Sequence, residues 1–354
     1  MLLPVRLVRR FSRYLRTPAA RTPRRMPLDW SPLVEFLRRH DRPLLMTHIR
    51  PDADGLGSQL ALHAALRQLG KQPRVAIASK LPPRYNFLDP QRQVIEDFRP
   101  GTAANFAGCD CVVVLDTGTF NQLGEFGEYL KANPVPRAVV DHHRTQDDLG
   151  GLAFIDTAAE ATGRLAHEIV MALGATITPE MAGHLFMAVA TDTGWFRHPN
   201  AVPRTFALCG ELVAAGASPT GLYEQLYEAA PLARLKLVGV ALGRLQTRAA
   251  GRVAWTEIYM TDYPATGAVP GDTEDLINHP RSVEGVEVAL VFIEQPGGGT
   301  KVSFRSRAAD VSVLAERFGG GGHKLASGAR VDRPLPEVRE EVLAAVEAAL
   351  ALPT

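Results

Sequence analysis

From residue 43 onward the chain alternates short apolar runs with stretches of helical spacing. Leu44–His48, Arg74–Ser79, Cys111–Asp116, Arg137–Asp141 and Ala153–Asp156 read as strands, while Leu and Ala recur at helical intervals near 55–70, 122–131, 160–174 and 179–191. Parallel strands need a crossover between them, so this alternation predicts an α/β domain on a mostly parallel sheet. A helix is expected over Ser31–His40, and helical segments over 203–215 and 220–247 follow the strands. After Gly251 the rhythm changes. Strand-like Val253–Met260, a loop holding Pro264 and Pro270, and strand-like Val286–Glu294 and Lys301–Arg305 about a Pro-Gly-Gly-Gly turn come first. A helical run over 310–318, the loop Gly319–Gly322 and a last helix over 336–351 complete a smaller α+β unit. The expected boundaries are a tail over 1–26, a first domain over 27–216, a helical connector over 217–248 and a second domain over 249–354.

At 354 residues and 46% hydrophobic, the chain has material for two cores. No apolar run nears the roughly 20 residues of a membrane span, so a soluble protein with no membrane partner is expected. The three cysteines, Cys109, Cys111 and Cys209, give neither a disulfide framework nor a zinc spacing, which fits a reducing cytoplasm. Net charge is +1, but residues 1–25 hold eight arginines and no acid, so removing those eight charges from +1 leaves the rest at −7. That tail reads as a leader or an upstream extension of a start at Met26, with a transit peptide or a nucleic-acid arm as alternatives.

The strand ends carry the chemistry. His48 follows the first strand, Asp116 ends Cys-Val-Val-Val-Leu-Asp, Asp141-His142-His143 ends the fourth strand, and Asp192 ends an apolar helix. Ligands of an open parallel sheet bind outside the carboxyl ends of its strands, so these residues are expected in one crevice with Asp52 and Asp54 of the loop Thr47-His-Ile-Arg-Pro-Asp-Ala-Asp-Gly-Leu-Gly-Ser58. Five carboxylates there repel one another unless cations neutralise them. Oxygen and imidazole donors without thiolate suit manganese or magnesium better than structural zinc, and two ions about 3.5–4 Å apart are a recognised device for cleaving phosphate esters. A single aspartate at a strand end is equally an N-cap; four such clusters at successive ends are not explained that way. His63, His184 and His279 lack such company and are expected to be structural. Three rival motifs fail. Gly55-Leu-Gly57 lacks the third small residue of a dinucleotide loop, Gly319-Gly-Gly-Gly-His-Lys324 has His323 where a Walker loop has glycine, and His167-Glu168 has Met171 where a zinc-protease helix has its second histidine.

The segments HIRPDADGLGS, VVLDTG, VVDHH and ATDTGWFR resemble, in order and spacing, the four motifs of the DHH phosphoesterases. SFRSR (303–307) and GGGGHKLASGA (319–329) resemble the DHH-associated substrate-binding domain found in one branch of that family. The resemblance spans residues 30–350. It implies that 27–216 is the catalytic domain and 249–354 the substrate-binding domain. It further implies that His48 and Asp52 bind one Mn2+, that Asp54, His142 and Asp192 bind a second, and that Asp116 bridges the two. Asp141 then orients His142, and His143 lies beside the metals as a catalytic group, with Asp116 the other catalytic residue.

By the same resemblance Arg305, the loop of Gly320, Gly321 and Gly322, and His323 hold a substrate phosphate, and Arg197 meets the scissile one. Two stand-alone domains without sensory or membrane segments look most like the nanoRNase group of bifunctional oligoribonucleases and phosphoadenosine-phosphate phosphatases. The implied enzyme is a two-metal phosphoester hydrolase whose partners are short RNA oligonucleotides or small nucleotides, with a homodimer compatible with the resemblance. An acidic body agrees with short substrates, because a protein tracking long nucleic acid carries a basic stripe. Alternatives are a soluble phosphodiesterase of linear or cyclic dinucleotides and, in another class, a non-catalytic nucleotide- or RNA-binding regulator. One departure stands out: where relatives often have an asparagine three residues after the last histidine of the third motif, this chain has Gln146.

Overall fold

Six strands of the first half pair in parallel in the order β3-β2-β1-β4-β5-β6. They are β1 (Pro43–Met46), β2 (Arg74–Ile77), β3 (Ile95–Asp97), β4 (Cys111–Leu115), β5 (Arg137–Asp141) and β6 (Leu152–Ile155). The computed structural model describes residues 28–98 and 106–351; the basic tail expected over 1–26 lies outside the described residues. Every residue of β1 and β4 is buried, as strands covered on both faces must be. Leu44, Met46, Val112, Val114 and Val139 share one core with Phe98, Phe106 and Phe126. The helices Ala53–Gln68, Thr162–Leu173 and Pro179–Asp192 pack on one another through small residues such as Ala61, Ala166 and Ala182.

The chain walks from β1 to β3 in one direction and from β4 to β6 in the other. The carboxyl ends of β1 and β4 therefore flank the point where the connections diverge, which is where an open sheet leaves room for a ligand.

The described chain divides into two units, one of residues 28–81, 85–98 and 106–222 and the other of 82–84 and 223–351. The second holds a mixed sheet in the order β11-β12-β10-β9-β8-β7. Its strands are β7 (Gln246–Arg248), β8 (Val253–Ile258), β9 (Val288–Glu294), β10 (Thr300–Ser306), β11 (Gly321–His323) and β12 (Ala326–Val331), with only β8 and β9 parallel. β9 alternates cleanly: Val288, Leu290 and Phe292 face the helix Leu335–Ala351, while Ala289, Val291 and Ile293 share the other core with Leu237 and Ala241 of the helix Leu232–Gly243. No helix among the described residues is long and apolar enough to cross a membrane.

Residues 217–248, expected as a connector, divide between the units. Ala217 and Leu222 pack in the first, Leu237 and Ala241 in the second, and 246–248 form its edge strand β7. The helix expected over 220–247 is interrupted, because Pro231 has no N–H to continue it. Gly319–Gly322, expected as a loop, runs into strand β11, which pairs with a strand β12 that the sequence did not predict. β12 reads Ala-Ser-Gly-Ala-Arg-Val, too poor in branched and aromatic residues to signal a strand.

Strand β3 also went unpredicted, and its anchor is a side chain. The Asp89 carboxylate accepts from the backbone N–H groups of Gln93 (2.9 Å), Val94 (2.9 Å) and Ile95 (2.7 Å), fixing the approach to β3. Burial opposes the charge on Asp89, but these three donors outweigh it and hold its carboxyl below the ordinary value. Asp89→Ala is expected to destabilise the first unit by about 2 kcal/mol in urea unfolding at neutral pH. A depressed folded-state pKa contributes stability above the ordinary carboxylate range and loses it as pH falls through the folded value, so the gap between wild type and variant closes below about pH 4. A gap that is constant with pH contradicts the assignment.

Candidate metal centre

Each acidic or imidazole group is set by the element that ends or begins beneath it. Asp52 caps the helix Ala53–Gln68, its Oδ1 accepting from the N–H groups of Asp54 (3.0 Å) and Gly55 (3.1 Å), so this candidate ligand is also an N-cap. Asp116 leaves β4 with φ +64°, a left-handed conformation that costs a residue with a Cβ about 1–2 kcal/mol. Its amide donates to Val140 (3.0 Å) in the neighbouring strand. His142 and His143 follow β5, and Asp192 is the last residue of its helix.

These residues converge on two triads of ligand atoms, His48–Asp52–Asp116 and Asp54–His142–Asp192, each within 4.8 Å internally, and a third group, Asp116–His142–His143, overlaps both. His48 Nε2 lies 3.4 Å from Asp116 Oδ2 and 3.7 Å from Asp52 Oδ1. His142 Nε2 faces Asp116 Oδ1 at 3.6 Å, Asp54 Oδ2 at 3.7 Å and Asp192 Oδ2 at 3.7 Å. The two oxygens of Asp116 thus face different histidines. These gaps are too long for hydrogen bonds, yet ligands bound at about 2.0–2.2 Å to a shared ion stand about 3.0–3.7 Å apart.

The tautomers agree. His48 Nδ1 bonds the Ile49 carbonyl (3.0 Å) and His142 Nδ1 the Ala159 carbonyl (3.2 Å); a carbonyl only accepts, so each Nδ1 carries the proton and Nε2 keeps its lone pair when the ring is neutral. His142 Nε2 is buried and has no hydrogen-bond partner. An orphaned imine nitrogen ringed by three carboxylate oxygens is a fit for a divalent cation.

Electrostatics shows the same need. Burial and then the charges of Asp116, Asp192 and Asp52 raise Asp54 well above the ordinary carboxyl value, and burial with Asp116 and Asp52 pushes Asp192 up to about 7 against the pull of His142 and His143. Burial disfavours a charged His48, but Asp116 and Asp52 carry it up to about 11. Burial and mutual repulsion thus oppose the ionisation of Asp54 and Asp192.

Asp141 works differently from the expectation that it orients His142. Its Oδ1 accepts the backbone N–H of His142 (2.8 Å) and the ring Nδ1–H of His143 (2.8 Å), while Gln146 donates to its Oδ2 (2.6 Å) and to the His143 carbonyl (2.9 Å). The ring so fixed is that of His143. The hydrogen bond to Asp141, opposed by burial, raises His143 to about 9.

Sequence reasoning missed the far wall. Thr162 and Gly163, at the start of a helix, donate their N–H groups to Asp54 (2.7 Å each), and the Thr162 hydroxyl donates to Asp116 Oδ1 (2.9 Å). A Thr-Gly pair opening a periodic helical stretch was the available signal. His184, expected to be structural, is half-buried in its helix, where desolvation lowers it to about 4.

The expected substrate residues are placed as follows. Arg197 is exposed in the turn after Asp192, its Nε donating to the Gly194 carbonyl (2.7 Å). Arg305 is half-buried on β10, its Nη1 donating to the Phe304 carbonyl (2.9 Å); burial and then nearby Arg281 lower its pKa despite Asp275, so it is a cation short of counter-charge. The Gly319 and Gly320 amides close the helix Val311–Glu316 onto the Glu316 and Ala315 carbonyls, so they are not open donors. A Cβ on Gly320 would lie 2.1 Å from the Gly328 carbonyl oxygen, which gives that glycine a packing reason of its own. Gly321 has open space where a Cβ would be, and Gly321, Gly322 and His323 pair with Gly328, Ser327 and Ala326 of β12; the His323 side chain lies outside the described part of the structure.

Residues 43–189 match the DHH family N-terminal domain, and residues 257–352 match the DHHA1 domain. The chain is 30% identical over 327 residues to the bifunctional oligoribonuclease and PAP phosphatase NrnA of Thermus thermophilus, covering 88% of this chain and 93% of that one. The enzyme of the same name from Bacillus subtilis is 26% identical over 302 residues, covering 84% and 92%. An exopolyphosphatase-related protein from Bacteroides fragilis shares the fold at TM-score 0.84 and 22% identity, covering 90% of this chain and 96% of that one. RecJ of Thermus thermophilus, solved in complex with Mn2+, shares it at TM-score 0.54 and 18% identity, covering 91% of this chain and 54% of that one. Strand-end acids, paired histidines and two matched domains in order converge on one conclusion: the chain belongs to the DHH family of metal-dependent phosphoesterases.

Proposed function

We propose that this protein hydrolyses short oligoribonucleotides to mononucleotides and converts 3′-phosphoadenosine 5′-phosphate to AMP. The observation that carries the reading is the pair of triads joined through Asp116, in a chain that covers 93% of a relative named for both activities. His48, Asp52 and Asp116 Oδ2 would hold one ion, and Asp54, His142, Asp192 and Asp116 Oδ1 the other, with Mn2+ favoured over Mg2+ by the two imidazole ligands. Bound there, two such ions supply a nucleophilic water at neutral pH and the positive charge that a transferring phosphoryl group needs.

The chain's own groups do the rest. His143 is 35% exposed, and its Nδ1–H is committed to Asp141, so Nε2 is left to meet a phosphate oxygen or to protonate the departing ester oxygen. Gln146 fixes Asp141 and thereby the plane of that ring. Four ligating aspartates balance two dications, so the negative substrate needs further cations, and Arg197 and Arg305 are the arginines assigned to it. Gly321, Gly322 and His323 are assigned to the far phosphate of a short substrate. Three free cysteines suit work in the reducing cytoplasm.

Asp116→Ala and His142→Ala are each expected to lower kcat/KM on a 5′-phosphorylated diribonucleotide by a factor of about 10³ or more, with the far-ultraviolet circular dichroism spectrum retained. Near-normal turnover in either variant contradicts the two-triad site. Chelation should abolish hydrolysis of both substrates, and Mn2+ should restore it at lower concentration than Mg2+; activity that survives exhaustive chelation sinks the metal assignment. Arg305→Ala should raise KM roughly 10-fold while kcat changes little, because it removes a contact made equally to bound substrate and transition state. An unchanged KM removes Arg305 from the substrate site.

A further inference from the structure

The first turn of the helix Thr162–Leu173 touches both triads. Both Asp54 oxygens accept from it, Oδ2 from the Thr162 N–H and Oδ1 from the Gly163 N–H, at 2.7 Å each. The Thr162 hydroxyl reaches the other triad, donating to Asp116 Oδ1 at 2.9 Å. Thr162 is buried, and the side chains of Asp54 and Asp116 are each 2% exposed, so water does not compete for these bonds.

The hydroxyl acts on one oxygen of two. Asp116 Oδ2 faces His48 Nε2 at 3.4 Å, while Oδ1, the atom bonded to Thr162, faces His142 Nε2 at 3.6 Å. A carboxylate free to turn about its last torsion, which is broad, presents its oxygens to either neighbour indifferently. A hydroxyl on a β-branched side chain, stiff at its first torsion and carried by the first residue of a helix, removes that freedom. The unpartnered Nε2 of His142, buried on the same side, then has a carboxylate oxygen held in place across from it.

We infer that Thr162 is the positioning residue of the centre: its hydroxyl locks the Asp116 carboxylate with one oxygen toward each histidine, so that the two cation sites share a ligand and fill as a coupled pair. This rests on the two-ion reading above. Glu160 and Arg164 brace the residue from behind. Arg164 pairs with Asp156 (2.6 Å) and Glu160 (3.1 Å), and Asn200 Nδ2 donates to the Glu160 carbonyl (3.1 Å). Thr162 therefore has a fixed backbone from which to aim.

The test compares wild type, Thr162→Val, which keeps the shape and loses the donor, and Thr162→Ser, which keeps the donor. Each is stripped of metal and titrated with Mn2+ alone, followed by calorimetry and by electron paramagnetic resonance. Wild type and Thr162→Ser should bind two ions and show the signal of an exchange-coupled manganese pair. Thr162→Val should bind the second ion at least 10-fold more weakly and show the six-line spectrum of isolated Mn2+ at two equivalents, the size of effect expected when a ligand loses its outer hydrogen bond. If Thr162→Val retains tight binding of two coupled ions, the inference is overturned. If wild type itself binds one ion or none, the two-ion reading fails instead, so the two failures are told apart. Should the metal-free Thr162→Val melt well below wild type, Thr162→Ala takes its place under the same criteria, and loss of pairing in Thr162→Ser as well overturns the role of the hydroxyl.

Discussion

Mutual repulsion among buried carboxylates is the constraint around which the first unit is arranged. Asp54 and Asp192 place ligand oxygens within 4.8 Å of each other. At that range and an effective dielectric of about 20, two unit charges repel by roughly 3–4 kcal/mol, comparable with a large part of a domain's net stability. The fold supplies partial offsets before any cation arrives. Asp52 takes the free N–H groups of one helix start and Asp54 those of another, so the helix termini that would otherwise be unsatisfied and the acids that would otherwise be uncompensated solve each other's problem. What these donors leave unbalanced is visible in the raised pKa values of Asp54 and Asp192. The repulsion left over favours the binding of dications.

The sheet makes this crowding possible. Residues separated by more than a hundred positions, such as Asp54 and Thr162 or Asp54 and Asp192, meet because parallel strands deliver every carboxyl end to the same edge and because the connections after β1 and β4 diverge there. The left-handed backbone at Asp116 is the local cost of turning the chain sharply off β4 so that its carboxylate stays at the mouth of that crevice. A strained residue is tolerated at this point because the strand pairing on either side, Leu115 with Val140 and Met46 with Val114, holds the backbone in register.

The strands bearing the candidate ligands were legible from the sequence for a physical reason: a parallel strand is buried on both faces and reads as an unbroken apolar run, and a charged residue at its end contrasts sharply. The ligand clusters were legible for the same reason. β3 was not, because a three-residue strand held by the Asp89 carboxylate owes its existence to a side chain rather than to its own pattern. β12 was not, because its small residues serve close pairing instead of core filling. The residues hydrogen-bonded around the candidate ligands were the least legible. Thr162 and Gln146 are polar side chains without a periodic signature, and Ala159 contributes only a carbonyl, so their roles exist in three-dimensional hydrogen bonding alone. Asp141 shows the limit from the other side: its place next to the centre was readable, but which ring it holds depended on a rotamer.

Packing sets the spacing that the chemistry uses. A Cβ on Gly163 would lie 2.5 Å from the Cβ of Ala188, and one on Gly57 would lie 2.4 Å from the His184 carbonyl oxygen. The helices Thr162–Leu173 and Ala53–Gln68 therefore lie against Pro179–Asp192 as closely as backbone allows. That closeness is what lets the Gly163 N–H reach Asp54 while Asp54 and Asp192, the latter at the end of the third helix, both face His142 Nε2. Larger residues at these contacts would separate the helices and with them three ligands by an ångström or more, a displacement comparable to the tolerance of a metal site. The small residues lining these helices, which by composition look like undemanding core filler, are thus a distance constraint on the centre, and the alanine-rich character of this stretch of sequence is part of how Asp54, His142 and Asp192 come to surround one point.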